Sequence, residues 1–294
     1  MTEHRRDKSF YAKRLFAAKL GEETAGFCGF DSPPVDPFAI AQAESDLIHL
    51  VGDDFGNCFD GYIEYAGEQR FIICYNTKYN NWRHSGDFHT KILFTIAHEL
   101  GHFFIEEHRR HLVGVKTGHV SFSEFSSDSL IEQQADYFAA GLLMPSSLLG
   151  PEVNTKNFPS HGEMHDIRRR FNVSLTGFLA RWTQLSDFPC ATVVVQDGLI
   201  QFGWISECLR ELGAFRLSRG EEVSCKDASA FLRVGEPYQG YRDAEGSGSV
   251  ANWIEYDRVR LPTQEFYYAI PHSNSVWILL IADESDLPTR WGEE

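Results

Sequence analysis

The segment from Ile92 to Ile105 is an apolar run that contains the sequence His-Glu-Leu-Gly-His at positions 98–102. An α-helix completes one turn in about 3.6 residues, so His98 and His102, four residues apart, project from the same face. Two imidazoles on one face can bind a single Zn²⁺, and Glu99 beside them can take a proton from an attacking water. The motif therefore predicts the metal-binding helix of a zinc hydrolase.

The alternative is an ordinary buried helix whose histidines are satisfied within the core. The chain contains 12 histidines, so the motif also arises by chance in some sequences of this composition. Burying two histidines and a glutamate together is costly unless they share a partner. This cost favours the metal site.

A second apolar stretch with helical spacing, residues 129–145, ends at a proline and carries Glu132 and Asp136 one turn apart. Catalytic zinc usually takes three protein ligands, and Glu132, 30 residues after His102, is the candidate third ligand. Asp136 can accept the second ring N–H of a ligand histidine. Two alternatives stay open here: a helix capping box formed by Ser129 and Glu132, and a solvated face for Asp136.

These two segments agree in order and spacing with a known pair of motifs. The first runs from Phe94 to His102, and the second reads Glu132-x-x-Ala135-Asp136-x-Phe138-Ala139-Ala140-x-Leu142-Leu143-Met144-Pro145. Together they resemble the ImmA/IrrE family of metallopeptidases, over roughly residues 59–185. The family often has a second glutamate just before the alanine, where this chain has Gln134.

The resemblance implies specific roles for the motif residues. It implies that His98, His102 and Glu132 bind zinc and that Glu99 is the catalytic base of an endopeptidase. It also implies that the substrate is a helix-turn-helix transcriptional repressor, whose cleavage derepresses genes for DNA damage, mobile elements or phage defence. Single-stranded DNA is the candidate activator, since some relatives are thought to respond to it.

The expected fold class is α+β, in three parts. Residues 1–160 are expected to form a zincin-like, mostly helical metallopeptidase domain with a small sheet. Residues 161–188 resemble a helix-turn-helix segment. Beyond Pro189, several strand-length apolar stretches predict a separate α+β domain at 190–294, similar to the GAF-like sensor domains of some ImmA/IrrE proteins.

The segment at 161–188 supports a competing function. A helix at 167–171, a short turn and a helix that begins after Ser174 match the order of a DNA-binding motif. Basic residues are few beyond Arg168–Arg170, which favours a bracing role instead. The alternative function is therefore a non-proteolytic transcription regulator that binds DNA through this segment.

The N-terminal region predicts the surroundings of the motif helix. Apolar spacing indicates helices at 10–20, ended by Gly21, and at 38–51, followed by a hairpin with strands at 62–65 and 70–75. In zincin-like enzymes a strand beside the metal helix receives the substrate backbone. The candidate for that edge strand comprises Phe71, Ile73 and Tyr75.

Some further cysteines and histidines are candidates for roles at the site. None of the 6 cysteines forms a C-x-x-C pair, which predicts free thiols in a reducing cytoplasm. Cys58 and Cys74, which precede the motif helix, are candidates for a thiolate that blocks the fourth zinc position. His108, His111 and His119 are candidates for stabilising an oxyanion, or else are solvated loop histidines.

Composition narrows the class of protein. The net charge of −15 argues against a broadly basic nucleic-acid binder. No segment is apolar enough to span a membrane, and the charged N-terminus lacks the pattern of a signal peptide, so a cytoplasmic protein is expected. The region after 190 combines aromatics with arginines, which suits stacking of single-stranded nucleic acid, a small-ligand site, or a plain core with solvated arginines. These arginines include Arg216, Arg219, Arg233, Arg242, Arg258 and Arg260.

Overall fold

The structure is a computed structural model that describes residues 3–80, 88–115, 118–121, 129–155, 159–214, 216–232, 242–255, 261–270 and 274–282. It mixes helices with antiparallel and parallel strands, which confirms the α+β class. The chain divides into two compact units. The N-terminal unit contains residues 1–149 and 166–174, and the C-terminal unit contains residues 150–165 and 175–294. Residues of the segment predicted at 161–188 are thus shared between the two units.

The elements up to residue 171 follow one another in a mixed order. They are α1 (Glu3–Phe27), α2 (Pro37–Ala43), β1 (Ile48–Asp53), β2 (Gly61–Gly67), β3 (Arg70–Asn76), α3 (Thr90–Phe104), α4 (Glu106–Val115), β4 (His119–Ser121), α5 (Leu130–Leu143), α6 (Ser146–Val153) and α7 (His161–Phe171). Within the described ranges, no helix combines the length and the apolar character needed to cross a membrane.

The N-terminal unit contains a four-stranded sheet in the order β1-β3-β2-β4. β1 runs parallel to β3, and the other pairs are antiparallel. Side chains alternate between the two faces of a strand, and the buried ones here, such as Ile63, Phe71 and Ile73, share the face that packs on α3. Phe71 meets Phe103 of α3 edge-to-face, with ring centroids 5.4 Å apart. The sheet therefore covers the motif helix from one side.

The predicted substrate edge is wrong, although the predicted hairpin is confirmed. β3 lies inside the sheet, because β1 pairs along one side of it and β2 along the other, so Phe71, Ile73 and Tyr75 present no free edge. The cause is β1, which occupies part of the segment expected to be helical at 38–51. The helix α2 ends at Ala43, and the apolar residues that follow pair as a strand.

The helices α1 and α5 approach each other through glycines. A Cβ at Gly21 of α1 would lie 2.2 Å from the carbonyl oxygen of Phe138, and one at Gly141 of α5 would lie 2.1 Å from the carbonyl oxygen of Ala18. Such contacts require the absence of a side chain. The sequence predicted that Gly21 ends the first helix, but α1 continues to Phe27, because this glycine serves close packing and not termination.

The C-terminal unit continues the chain from α8. Its elements are α8 (Leu175–Leu185), β5 (Cys190–Gln196), β6 (Leu199–Ile205), α9 (Glu207–Glu211), β7 (Arg216–Leu217), α10 (Lys226–Leu232), β8 (Arg242–Ser249), β9 (Ile254–Glu255), β10 (Pro262–Ala269) and β11 (Ser275–Ala282). Five of the strands form an antiparallel sheet in the order β6-β5-β11-β10-β8. The strand-length apolar stretches noted in the sequence correspond to strands of this unit.

The interior of the C-terminal unit holds a buried carboxylate. Glu265 of β10 is fully buried and accepts hydrogen bonds from the Trp253 indole at 2.7 Å, the Thr263 hydroxyl at 3.0 Å and the Tyr267 hydroxyl at 2.6 Å. A buried charge is tolerated only when such donors surround it. The network therefore ties β10 to the segment around Trp253 within the apolar core.

We predict that Gly21→Ala destabilises the protein and Gly26→Ala does not. The new methyl group at Gly21 meets the backbone of α5, so overpacking is expected to lower the free energy of unfolding by about 1–3 kcal/mol. Gly26 lies in the same helix, and nothing lies within 4 Å of a Cβ placed there, so that substitution is the matched control. Urea denaturation of both variants measures the difference, and equal stabilities would contradict the packing described.

Candidate metal centre

The helices α3 and α5 bring three potential metal ligands together. The Nε2 atoms of His98 and His102 lie 3.2 Å apart, and each lies near the Glu132 carboxylate, at 3.4 Å and 3.6 Å respectively. A tetrahedral zinc ion with bonds of about 2.0–2.1 Å separates its ligand atoms by roughly 3.3 Å. The three side chains therefore fit zinc, and among the described residues they form the one group of histidine, cysteine and carboxylate side chains with this convergence.

Burial strengthens the case for a cation at this point. His98 and His102 are almost fully buried, and their facing nitrogens cannot both be satisfied by each other. Electron-rich atoms that converge in a poorly solvated place repel unless a cation binds them. The sequence predicted that burying two histidines and a glutamate together is costly without a shared partner, and the structure does bury these three side chains together.

Asp136 orients the first histidine. Its Oδ1 lies 2.9 Å from Nδ1 of His98, so Nδ1 donates to the carboxylate and Nε2 is turned toward the cluster. Burial lowers the pKa of His98, but hydrogen bonds to Asp136 and Glu132 outweigh it and raise that pKa to about 10, so a bound metal would take the place of a proton on Nε2. The geometry matches the supporting role expected of Asp136.

Glu132 points into the cluster and does not cap its helix. Ser129 precedes α5, but its side chain makes no capping hydrogen bond, so no capping box forms. Burial acts to raise the pKa of Glu132, yet hydrogen bonds with His119 and His98 hold it well below its usual range. The carboxylate is therefore charged, as a metal ligand must be.

Glu99 lies beside the cluster as a buried carboxylate near the Ser121 hydroxyl. It is fully buried, and neither of its oxygens has a hydrogen-bond partner of good geometry among the described residues. Burial raises its pKa to about 7, against the opposing effect of the charge on His98. A general base works best when its pKa is near the operating pH, so this carboxylate suits proton transfer from water.

Gly61 makes room for the Glu99 carboxylate, and no motif in the sequence points to this glycine. A Cβ at Gly61 of β2 would lie 2.3 Å from Oε1 of Glu99 and 2.7 Å from the methyl group of Thr95. Only a glycine allows the strand to pass this close. A single glycine at the start of a strand is a weak signal in a sequence, so this role emerges only from the packing of β2 on α3.

The structure separates both candidate cysteines from the metal centre. The register pairs Cys74 of β3 with Tyr62, on the sheet face opposite to Ile63 and Ile73, which pack toward α3. Burial, together with nearby carboxylates, also raises the pKa of the Cys74 thiol and disfavours the thiolate. Cys58 is exposed. Among the described residues neither sulfur joins the ligand cluster, so the structure gives no support to the expectation that either thiol blocks the zinc, and it stays a prediction.

The three candidate histidines between the motifs lie in different environments. His119 lies on β4, where its Nε2 is 2.8 Å from Oε1 of Glu132. His108 is buried with its ring centroid 5.1 Å from that of His102, and His111 is exposed on α4. Of the three, His119 is the one within hydrogen-bond distance of a predicted metal ligand. No sequence pattern separates the three histidines, because the segment that contains them has no strand signal.

The helices α3 and α5 thus form a buried cluster of two histidines and one glutamate that fits a metal ion. Residues 88–183, which include all three ligands and Glu99, match the peptidase family M78 model described as "IrrE N-terminal-like domain". This match supports the resemblance to the ImmA/IrrE family. A search among curated proteins produced no match.

One solved structure shows a similar fold across most of the chain. It is a "Mycobacterium tuberculosis transcriptional regulator", with a TM-score of 0.56 and 15% sequence identity. The alignment covers 93% of this chain and 79% of that one. At this level of identity the likeness concerns the fold alone.

We predict that Asp136→Asn weakens zinc binding by about 10-fold or more, because loss of the charged acceptor loosens the orientation of His98. Competition with a chromophoric chelator measures the affinity. Glu106→Gln removes the same charge from an exposed residue of α4 and is the control. If both variants bound zinc as tightly as the unmodified protein, Asp136 would have no supporting role.

Proposed function

We propose that this protein is a zinc-dependent endopeptidase. The observation that carries the proposal is the buried triangle of His98, His102 and Glu132 beside the unpartnered carboxylate of Glu99. A structural zinc site is normally closed by four protein ligands, whereas a catalytic site keeps an open position. Three converging ligands with a neighbouring base correspond to the catalytic arrangement.

The residues of the site have separate roles in the proposed hydrolysis. Zinc bound by the three ligands would supply Lewis acidity for hydrolysis of a peptide bond. Glu99 takes the proton of the attacking water and passes it to the departing amine. Its burial raises its proton affinity enough for both steps near neutral pH. Asp136 holds His98 in the required orientation throughout.

The strand β4 is the structural candidate for receiving a substrate. It is an edge strand of the N-terminal sheet, and its register with β2 places His119 and Ser121 on the face that carries Glu132 and Glu99. An extended peptide can add to such an edge through main-chain hydrogen bonds. By the ImmA/IrrE resemblance, the proposed substrate is a helix-turn-helix repressor whose cleavage derepresses genes for DNA damage, mobile elements or phage defence.

The C-terminal unit is the proposed regulatory part, GAF-like in the resemblance, with single-stranded DNA as the candidate activator. Its support is a group of aromatic side chains, Phe202, Trp204 and Trp277, in which the two tryptophans stack at 5.8 Å. Phe202 and Trp204 are half-exposed on the edge strand β6, where bases could stack on them. The arginines provide less support. Arg216 lies near Glu255, Arg242 lies over Phe231, and Arg233, Arg258 and Arg260 lie outside the described residues.

We predict that Glu99→Gln abolishes cleavage and leaves zinc binding intact. Removing a general base typically costs about 10²–10⁴ in rate, whereas the three ligands are unchanged. The assay uses purified helix-turn-helix repressors encoded beside this gene, with cleavage followed by electrophoresis and zinc by metal analysis. Glu64→Gln is the control, since Glu64 lies on the other face of β2 and contacts Tyr62.

A second variant tests the same base without changing its chemistry. Gly61→Ala is expected to displace the Glu99 carboxylate and to reduce cleavage strongly while zinc content stays at one per chain. Retained cleavage in Glu99→Gln would refute the proposed mechanism. Failure of the unmodified, zinc-loaded protein to cleave any repressor would refute the proposed substrate class.

The alternative function is a DNA-binding transcription regulator; the solved structure of similar fold is itself named a transcriptional regulator. Its recognition helix would be α8. However, α8 packs on β5 and β6, and its residues from Gly177 to Thr183 are all buried, including Arg181. A recognition helix must expose side chains to the major groove. The burial of α8 therefore counts against this alternative.

A single binding experiment compares the two nucleic-acid hypotheses. Fluorescence anisotropy at constant salt is measured with a labelled single-stranded oligonucleotide and with a labelled duplex. We expect binding of the single strand, weakened about tenfold by Trp204→Ala because base stacking is worth about 1–3 kcal/mol. Duplex binding that is lost in Arg169→Ala would instead favour the transcription regulator. If neither the single strand nor the duplex bound, both nucleic-acid hypotheses would be refuted.

A further inference from the structure

We propose that His119 is a positioning residue that holds the third metal ligand, Glu132, in place from the edge strand β4. The inference rests on the metal centre of the proposed function, but it concerns metal binding and does not depend on the identity of any substrate. It assigns a task to a histidine that lies outside the motif helix and hydrogen-bonds to a predicted ligand.

The contact between the two side chains is short and specific. Nε2 of His119 lies 2.8 Å from Oε1 of Glu132, which is the normal length of a hydrogen bond to a charged acceptor. The histidine side chain is 34% exposed and the glutamate side chain is 17% exposed, so the bond is partly shielded from water. Nε2–H of His119 therefore donates to one carboxylate oxygen and restricts rotation of the carboxylate.

The geometry distinguishes this role from that of a fourth ligand. Among the described residues, the ligand atoms that converge within 4.8 Å of one another belong to His98, His102 and Glu132, and His119 is not among them. The ring of His119 lies against that of His102, with centroids 4.6 Å apart and planes inclined by 54°. Its Nε2 is directed at the carboxylate oxygen. A histidine that donates to a ligand supports the site from outside.

The sheet explains why His119 can reach Glu132. β4 pairs with β2 in a register that sets His119 opposite Ile63 and Ser121 opposite Gly61, so both side chains lie on the face toward α3. Val120 between them turns to the other face and is exposed. The hydrogen bond thus links the sheet edge to α5. Glu132 lies in the first turn of α5, where a helix is least constrained, so an external hydrogen bond has most effect there.

The experiment compares His119→Ala, His119→Gln and His111→Ala in the full-length chain. Zinc affinity is measured by competition with a chromophoric chelator, and Co²⁺ absorption reports the geometry of the bound ion. We expect His119→Ala to weaken zinc binding about 10–100-fold, as is typical for loss of such a supporting contact. Glutamine can donate from Nε2 to the same oxygen, so His119→Gln should recover most of the affinity. His111 is exposed on α4, and His111→Ala should bind zinc normally.

X-ray absorption of the zinc-loaded, unmodified protein supplies a second measurement. Two imidazole ligands are expected, and three would overturn the proposal by making His119 a ligand. Unchanged zinc affinity and an unchanged Co²⁺ spectrum in His119→Ala would also overturn it. If His119→Ala failed to fold, as judged by circular dichroism, the comparison of His119→Gln with His111→Ala would decide: equal affinities support positioning, and a loss of tenfold or more in His119→Gln contradicts it.

These outcomes are distinct from failure of the proposed function. A protein that binds zinc in a manner dependent on His119 but cleaves no repressor retains the positioning role and loses the proposed peptidase activity. A protein that cleaves repressors while His119→Ala keeps full zinc affinity retains the activity and loses the positioning role.

Discussion

The close crossing of α3 and α5 is the constraint on which the metal centre depends. A Cβ at Gly101 would lie only 3.2 Å from Cα of Ala135, so the two backbones approach as nearly as these small residues allow. Gly101 lies beside His102, and Ala135 lies beside Asp136. The residues that permit the approach are therefore interleaved with those that form the site. The carboxylates of Glu132 and Asp136 on α5 reach histidines on α3 because the two backbones approach closely at this point.

The sheet contributes to the same centre from the other side of α3. β2 passes so close that Gly61 borders Glu99, and β4 brings His119 to Glu132. The alternation of side chains on these strands decides which groups take part. It directs His119 and Ser121 toward the site, and it directs Cys74 away from it. The groups of the candidate site thus come from two helices and two strands, although only the helices carry a recognisable motif.

The C-terminal unit is organised around an apolar core. Its sheet buries a continuous apolar interior, with α8 packed on β5 and β6 and a fully bonded carboxylate, Glu265, inside. Phe202 and Trp204 remain half-exposed at the edge, which gives this unit an aromatic surface. The burial of α8 also explains why a helix-turn-helix pattern in a sequence need not indicate DNA binding. Two helices and a turn serve core packing equally well when the second helix is buried.

The sequence by itself determined which residues form the candidate metal centre. Helical periodicity placed His98 and His102 on one face, and a second periodic segment offered Glu132 and Asp136, because both signals are local and depend only on the helix repeat. Strand pairing was not determined in this way. The apolar run at 38–51 was compatible with a helix, and its second half became β1 only because β3 was available as a partner. Strand pairing and the packing of the sheet on α3 decide the remaining features. These are the interior position of β3, the edge position of β4, the space at Gly61 and the direction of Cys74. They were decided by tertiary structure, since contacts between distant segments leave no periodic trace in a single sequence.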